Sequence, residues 1–363
     1  MDTLAYKPNL DDVLGRLRLL HRREAQDRIF ATMEVPSAAL EEFRRQYSEG
    51  FCDYPEPGAR IEFWDRFFKE RAAVEDDSVP SVYLSEMDQG LYGGLMGGDV
   101  QFMAHPENGW ISSMVAPLLD DWSGFDSLRL DLAHPWFERF LKQLDTFVEG
   151  AAGKFGVSHF ILIDGLNFAF ELVGATKTYL SLDECPETVR RAIELAFELN
   201  LAVQSAFFEH VPPLRGGTAS NMVQWIPGRI VSESVDPFHM TSVDYFETWG
   251  REPVERILGR FDGGVLHVHG NGRHLFEAVS TIKGLKAIFL GDDKGFPKAF
   301  DVLDEIRRRT GDVPLVVQVG FDRFVEKLDE RRLSGGVLYK VSGVPDVATA
   351  NRCMEKVRAY RVE

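Results

Sequence analysis

Apolar and polar positions along this chain follow two rhythms, and the change between them falls near residue 75. From Asp11 to Arg28, Val13, Leu14, Leu17, Leu19 and Leu20 recur among arginines and glutamates in the manner of a half-buried helix. Glu41–Tyr47 and Ile61–Ala73 continue in that style, interrupted by the turn-forming run Asp53-Tyr54-Pro55-Glu56-Pro57-Gly58. From Val79 onward short apolar runs alternate with longer helical patterns. Eight runs read as strands: Ser81–Glu86, Ser158–Ile163, Met222–Ile226, Ile230–Val235, Gly264–Val268, Ala287–Leu290, Leu315–Val319 and Gly336–Val341. Helical patterns cover Pro135–Glu149, Pro186–Glu209, Val243–Arg260, Phe296–Arg309, Phe321–Arg331 and Asp346–Tyr360. Alternation of this kind predicts an α/β fold with a parallel sheet, and eight strands predict a (β/α)8 TIM barrel. The expected division is an N-terminal helical extension over residues 1–75, packed on a barrel over 76–363. An open doubly wound sheet is the alternative, because the spacing is regular only after Ile230.

In such a barrel the active site is built where strands end. The most informative exit is Gly263-Gly264-Val265-Leu266-His267-Val268-His269-Gly270-Asn271-Gly272. Residues i and i+2 of a strand point the same way, so His267 and His269 share a face. Two imidazoles with one carboxylate form a known transition-metal set, with Glu233 or Asp236 as the third ligand. Zinc or another transition metal is the expected cofactor. His267, His269 and Asp236 are the candidate catalytic groups, as ligands or in proton transfer. Asp164, Asn167, Trp225, Arg229, His239, Asn271 and Asp292 lie at or after other strand ends and are candidate substrate contacts. Asp292 and Asp293 are adjacent and point oppositely in an extended chain, so at most one of them faces the site.

Charge and motifs narrow the function. With 41 basic and 57 acidic residues the formal charge is −16, against the phosphate contacts that nucleic-acid binding needs. The start lacks a signal peptide, and no apolar run approaches the roughly 18 residues that span a bilayer, so a cytoplasmic protein without a membrane partner is expected. Cys52, Cys185 and Cys353 are far apart and form neither a disulfide framework nor a cysteine-rich zinc site. Leu91-Tyr92-Gly93-Gly94-Leu95-Met96-Gly97-Gly98 has neither the Walker lysine nor its spacing.

Several segments resemble one family. Asp236-Pro237-Phe238-His239-Met240-Thr241-Ser242-Val243-Asp244-Tyr245-Phe246 is similar to the Asp-x-x-x-Met-x-Ser-Pro-Glu-x-Phe segment of the uroporphyrinogen decarboxylase superfamily. Gly264-Val265-Leu266-His267-Val268-His269-Gly270 resembles its strand ending in His-x-Cys-Gly or His-x-Asp-Gly. Asn108-Gly109-Trp110, Ala133-His134-Pro135-Trp136-Phe137 and Val341-Ser342-Gly343-Val344-Pro345 follow in family order, over roughly residues 80–360. The resemblance implies a β/α barrel, and either porphyrinogen decarboxylation or zinc-dependent methyl transfer between corrinoid proteins and thiols. The chain departs from both patterns. The decarboxylase's Arg-Gln-Ala-Gly-Arg segment is absent, and Gly15-Arg16-Leu17-Arg18 does not supply it. His269 stands where the methyltransferases have a cysteine, and Val341-Ser342-Gly343 lacks the second thiolate. The expected function is an enzyme on a small polar or carboxylated substrate, with metal-assisted methyl transfer and a corrinoid partner as its most specific form. Porphyrinogen decarboxylation and a non-catalytic binding barrel are the alternatives. The oligomeric state stays open, a homodimer included.

Overall fold

The structure, a computed structural model, describes residues 4–162 and 165–362. At its centre lie the parallel strands β1 (Ile29–Met33), β2 (Ser81–Tyr83), β3 (Gly156–Ser158), β4 (Ile161–Leu162), β5 (Val231–Ser234), β6 (Gly264–Val268), β7 (Leu285–Leu290), β8 (Leu315–Gly320) and β9 (Val337–Ser342). Seven of them form one sheet in the order β1-β9-β8-β7-β6-β5-β4. β2 pairs with β3, and only His159 and Phe160 separate β3 from β4. No described helix is long and apolar enough to cross a membrane.

The sheet's two faces follow from the period of two. Ile29, Ala31, Leu266, Ile288, Val317 and Val337 belong to the larger core, under helices such as Pro135–Ala151 and Pro186–His210. Phe30, Val265, Ala287, Val316 and Leu338 point to the other face. There they meet helix α1 (Leu10–His21) and the segment Met222–Ile226, which close off the N-terminal half of that face with a second apolar core.

Between β1 and β2 the contact is made by carboxylates. The amide of Asp77 donates to the Ala31 carbonyl at 2.9 Å. The Asp77 side chain accepts from the Ala31 amide at 2.9 Å and takes a two-pronged contact from Arg16 at 2.6 and 3.0 Å. Asp76 accepts from the Met33 amide (2.7 Å), Lys7 (2.8 Å), Arg71 (3.0 Å) and the Ser78 hydroxyl (2.5 Å). Both carboxylates are fully buried. Burial alone would raise the Asp76 carboxyl, but Lys7, Arg71 and Ser78 override it and hold it at about 2.

Two expectations change, and one element is added to them. Met222–Ile226 is not a strand of the parallel sheet: residues Gln224–Pro227 pair antiparallel with Gly217–Ser220. Consecutive parallel strands need a crossover of about a dozen residues, and only Pro227, Gly228 and Arg229 separate this run from Ile230. The first 75 residues are not a purely helical layer, because they supply β1, which pairs with β9 along its whole length. Its five residues, all buried, are too short a run to stand out between charged helices. Finally, Val100–His105 and Trp110–Val115 form an antiparallel hairpin joined by Gly50–Cys52.

Replacing Asp77 by alanine leaves the Arg16 guanidinium and the Ala31 amide without their partner. Chemical denaturation should show a loss of about 3–5 kcal/mol. Asp76 adds an acid limb. Its folded value lies below the unfolded 3.8, so its contribution is complete above about pH 4 and is lost as pH falls toward 2. Unfolding free energy measured against pH should flatten over that window in Asp76→Asn.

Candidate functional site

One step beyond the apolar row, the same face turns polar. Counting two residues on from Phe30, Val265, Ala287, Val316 and Leu338 gives Thr32, His267, Phe289, Gln318 and Lys340. The register places Thr32 and Gln318 on either side of Lys340, and His267 between Ser234 and Phe289. Apolar packing thus fixes the strands below, and their last residues present chemistry above.

His267 and His269 lie with ring centroids 4.2 Å apart. Just after β5 the chain makes a tight turn over Asp236–Met240, which brings the Asp236 carboxylate toward them. One donor atom each from Asp236, His267 and His269 falls within 4.8 Å of the other two. Asp236 Oδ1 lies 3.9 Å from His269 Nε2 and 3.6 Å from His239 Nδ1, and carries no hydrogen bond among the described residues. On its far side His269 Nδ1 donates to Asp293 Oδ1 at 2.9 Å, and Asp293 Oδ2 accepts from the Asn271 amide at 3.2 Å. A carboxylate on one ring nitrogen fixes the tautomer and leaves the other nitrogen's lone pair facing Asp236.

Burial controls protonation here. It lowers His267 to about 3, helped by the neighbouring His269, His239 and Lys340, and lowers His239 to about 3, helped by His269. Both rings are therefore neutral at physiological pH. Burial also pushes the Asp236 carboxyl up, against the pull of His269 and Ser234. Asp293 ends below the usual carboxylate range: burial raises it, but the His269 ring and the amides of Asn271 and Gly270 prevail. Two imidazole nitrogens and a carboxylate oxygen fit zinc or a similar transition ion.

Two glycines make room for these rings. A Cβ on Gly291, which follows β7, would sit 2.8 Å from His267 Nε2 and 3.2 Å from His269 Nδ1. One on Gly272 would sit 2.0 Å from His239 Cδ2.

Other candidates stand elsewhere. Glu233 is not with the histidines: it pairs in register with Leu266, on the face covered by helices, and lines a small gap with Ile193, Phe197 and Val254. Alternation puts Ser232 and Ser234 on the histidine face instead. Of the adjacent acids, Asp293 reaches the site, whereas Asp292 caps the turn at Ala299 through a 2.7 Å bond to its amide. Trp225 is fully buried in the second core, its indole donating to the Leu214 carbonyl at 2.8 Å. Arg229 is exposed at the opposite edge, before β5 begins, where its amide donates to Asp262. Asn167 occupies the first turn of the helix Gly165–Val173. Asn271 contributes its backbone amide to Asp293. Asp164 lies outside the described residues. Sequence reasoning passed over Lys340 and Gly291. Lys340 had a legible signal, as a lysine two residues past an inward leucine in a strand.

No family model matches the sequence, and no curated protein matches it. Eighteen chains of solved structures match its shape. One is a methyltransferase from Methanosarcina mazei, with a TM-score of 0.61 over 98% of this chain and 99% of that one, at 12% identity. The shared feature is the fold.

The glycine cradle is testable without any ligand. Gly291→Ala should shift the imidazole NMR resonances of both His267 and His269, at a stability cost of about 1–3 kcal/mol. Gly320→Ala, where a Cβ meets nothing within 4 Å, should leave those resonances in place.

Proposed function

We propose that the protein is an enzyme of the uroporphyrinogen decarboxylase-like superfamily, a closed β/α barrel that transfers a methyl group with the help of a metal ion. The observation carrying this reading is the convergence of Asp236, His267 and His269 at one strand edge, each offering a donor atom within 4.8 Å of the others. Closure of the barrel is supported by the Asp76–Asp77 contacts that join β1 to the segment entering β2. Methyl transfer is supported by the sequence motifs around Asp236 and His267, and by the likeness in fold to the Methanosarcina mazei methyltransferase. A corrinoid protein would be the methyl donor and a small polar molecule the acceptor.

In this reading His267, His269 and Asp236 hold the ion, which when bound supplies Lewis acidity that lowers the pKa of an acceptor group. Asp293 orients His269 and makes its outward nitrogen more basic. Burial keeps His267 neutral, so its lone pair is available at physiological pH. The second apolar core beneath the site excludes water from the inner side.

Porphyrinogen decarboxylation has no observation in its favour. The two arginines nearest the expected substrate-binding segment are engaged elsewhere: Arg16 grips Asp77, and Arg18 lies over the Trp225 ring at 5.3 Å.

Elemental analysis of untagged protein tests the metal. Wild type and Glu233→Gln should carry close to one equivalent of zinc or another transition ion, and the His267→Ala/His269→Ala double variant should carry none. Methyl transfer from methylcobalamin to a small thiol should fall by about a hundredfold or more in the double variant. Metal-free wild type that also fails to transfer methyl would sink the reading.

A further inference from the structure

The polar row does not end at the histidines. Lys340 stands on β9, where its ammonium donates to the Asn221 carbonyl at 3.1 Å and lies 5.1 Å from the centroid of the Phe289 ring. It lines a cavity of about 500 Å³ with Thr32, Gln318 and Asn221. Other cations on that wall are taken: Arg71 by Asp76, and Arg44 by Glu41. Among the described residues no carboxylate comes within 4 Å of the Lys340 ammonium; Glu34, exposed on the rim, acts on it from farther away. An ammonium has three donors, and one protein acceptor is seen for them. Asn221 adds a buried side-chain oxygen that has no hydrogen-bond partner among the described residues.

A half-buried lysine with no carboxylate within 4 Å among the described residues gains from a ligand that supplies the negative charge. Burial already pulls this ammonium down to about 8. The geometry points to Lys340 as the binding residue for the acidic end of a small organic acid. Thr32 and Gln318 stand beside it in register, and the Asn221 oxygen suits a hydroxyl, thiol or amine on the same molecule. Phe289 connects this subsite to the metal constellation, because the His267 ring packs on the same phenyl ring at 5.2 Å. Lys340 and His267 thus both lie against the same phenyl ring. Calling this ligand the methyl acceptor rests on the proposed function; the anion subsite itself does not.

Calorimetric titration with 3-mercaptopropionate, 3-hydroxypropionate, inorganic phosphate and the neutral 3-hydroxypropanamide separates the two claims. Wild type should bind at least one of the two organic acids with a Kd of about 1 mM or tighter, and more tightly than phosphate. The amide should bind at least about tenfold more weakly. Lys340→Met should weaken the acid by about tenfold to a hundredfold and abolish the preference over the amide, while Lys340→Arg should keep that preference. In wild type, the bound acid should also protect Lys340 from acetylation, read by mass spectrometry. The His267→Ala/His269→Ala variant should keep the preference for the acid over the amide. Absence of binding by either acid overturns the inference, as does equal binding of acid and amide, tighter binding of phosphate, or a Lys340→Met variant that binds normally. An acid preference lost only in the histidine variant would assign the anion to the metal and equally overturn it. If wild type holds no metal and transfers no methyl group yet keeps the Lys340-dependent preference, the methyltransferase reading fails and the subsite stands.

Discussion

Everything else in this molecule depends on a pair of adjacent buried carboxylates between the first two strands. A sheet edge such as β1 presents amides that must find partners, and no regular ladder covers Ala31 and Met33 on that side. Asp76 and Asp77 take those amides as side-chain acceptors, and lysine and arginine side chains from three helical or loop segments balance their charge. Such an arrangement gains little over an apolar one in net stability, but it is intolerant of losing a member. Its value is positional. By fixing where β1 ends, it fixes Thr32 beside Lys340, and by fixing where β2 begins, it sets the wall of the central cavity.

The site is then a product of strand arithmetic. Four of the five inward apolar residues that anchor strands have a polar residue two places further along, Ala287 with Phe289 being the exception, so packing and chemistry alternate by level and not by segment. The same arithmetic removes Glu233 from the histidines, since a residue one place away from an inward serine faces the helices. Close approach of three imidazoles also requires the absence of side chains, which Gly272 and Gly291 provide.

Much of this was legible in the chain. Seven of the eight expected strands lie in the parallel pairings, and the His-x-His exit follows from spacing alone. What escaped had physical reasons. Ile29–Met33 shows no alternation because a strand buried on both faces needs none. Of Met222–Ile226 only the part from Gln224 onward is a strand, and it pairs antiparallel, because the three residues after the run cannot make a parallel crossover. Asp76 and Asp77 follow Glu75 with no local mark of burial. Their burial depends on Lys7 and Arg16, more than sixty positions away, which local pattern cannot register. The choice of Asp293 over Asp292 likewise turns on one backbone step that composition leaves undecided.

The plug formed by α1 and the hairpin around Trp225 has a consequence for the electrostatics above it. Phe30, Val265, Ala287, Val316, Leu338 and Trp225 make a slab of nonpolarisable material directly under the polar row. Field lines from Lys340 and from any bound ion cannot spread into water on that side, so they are directed outward through the strand edge.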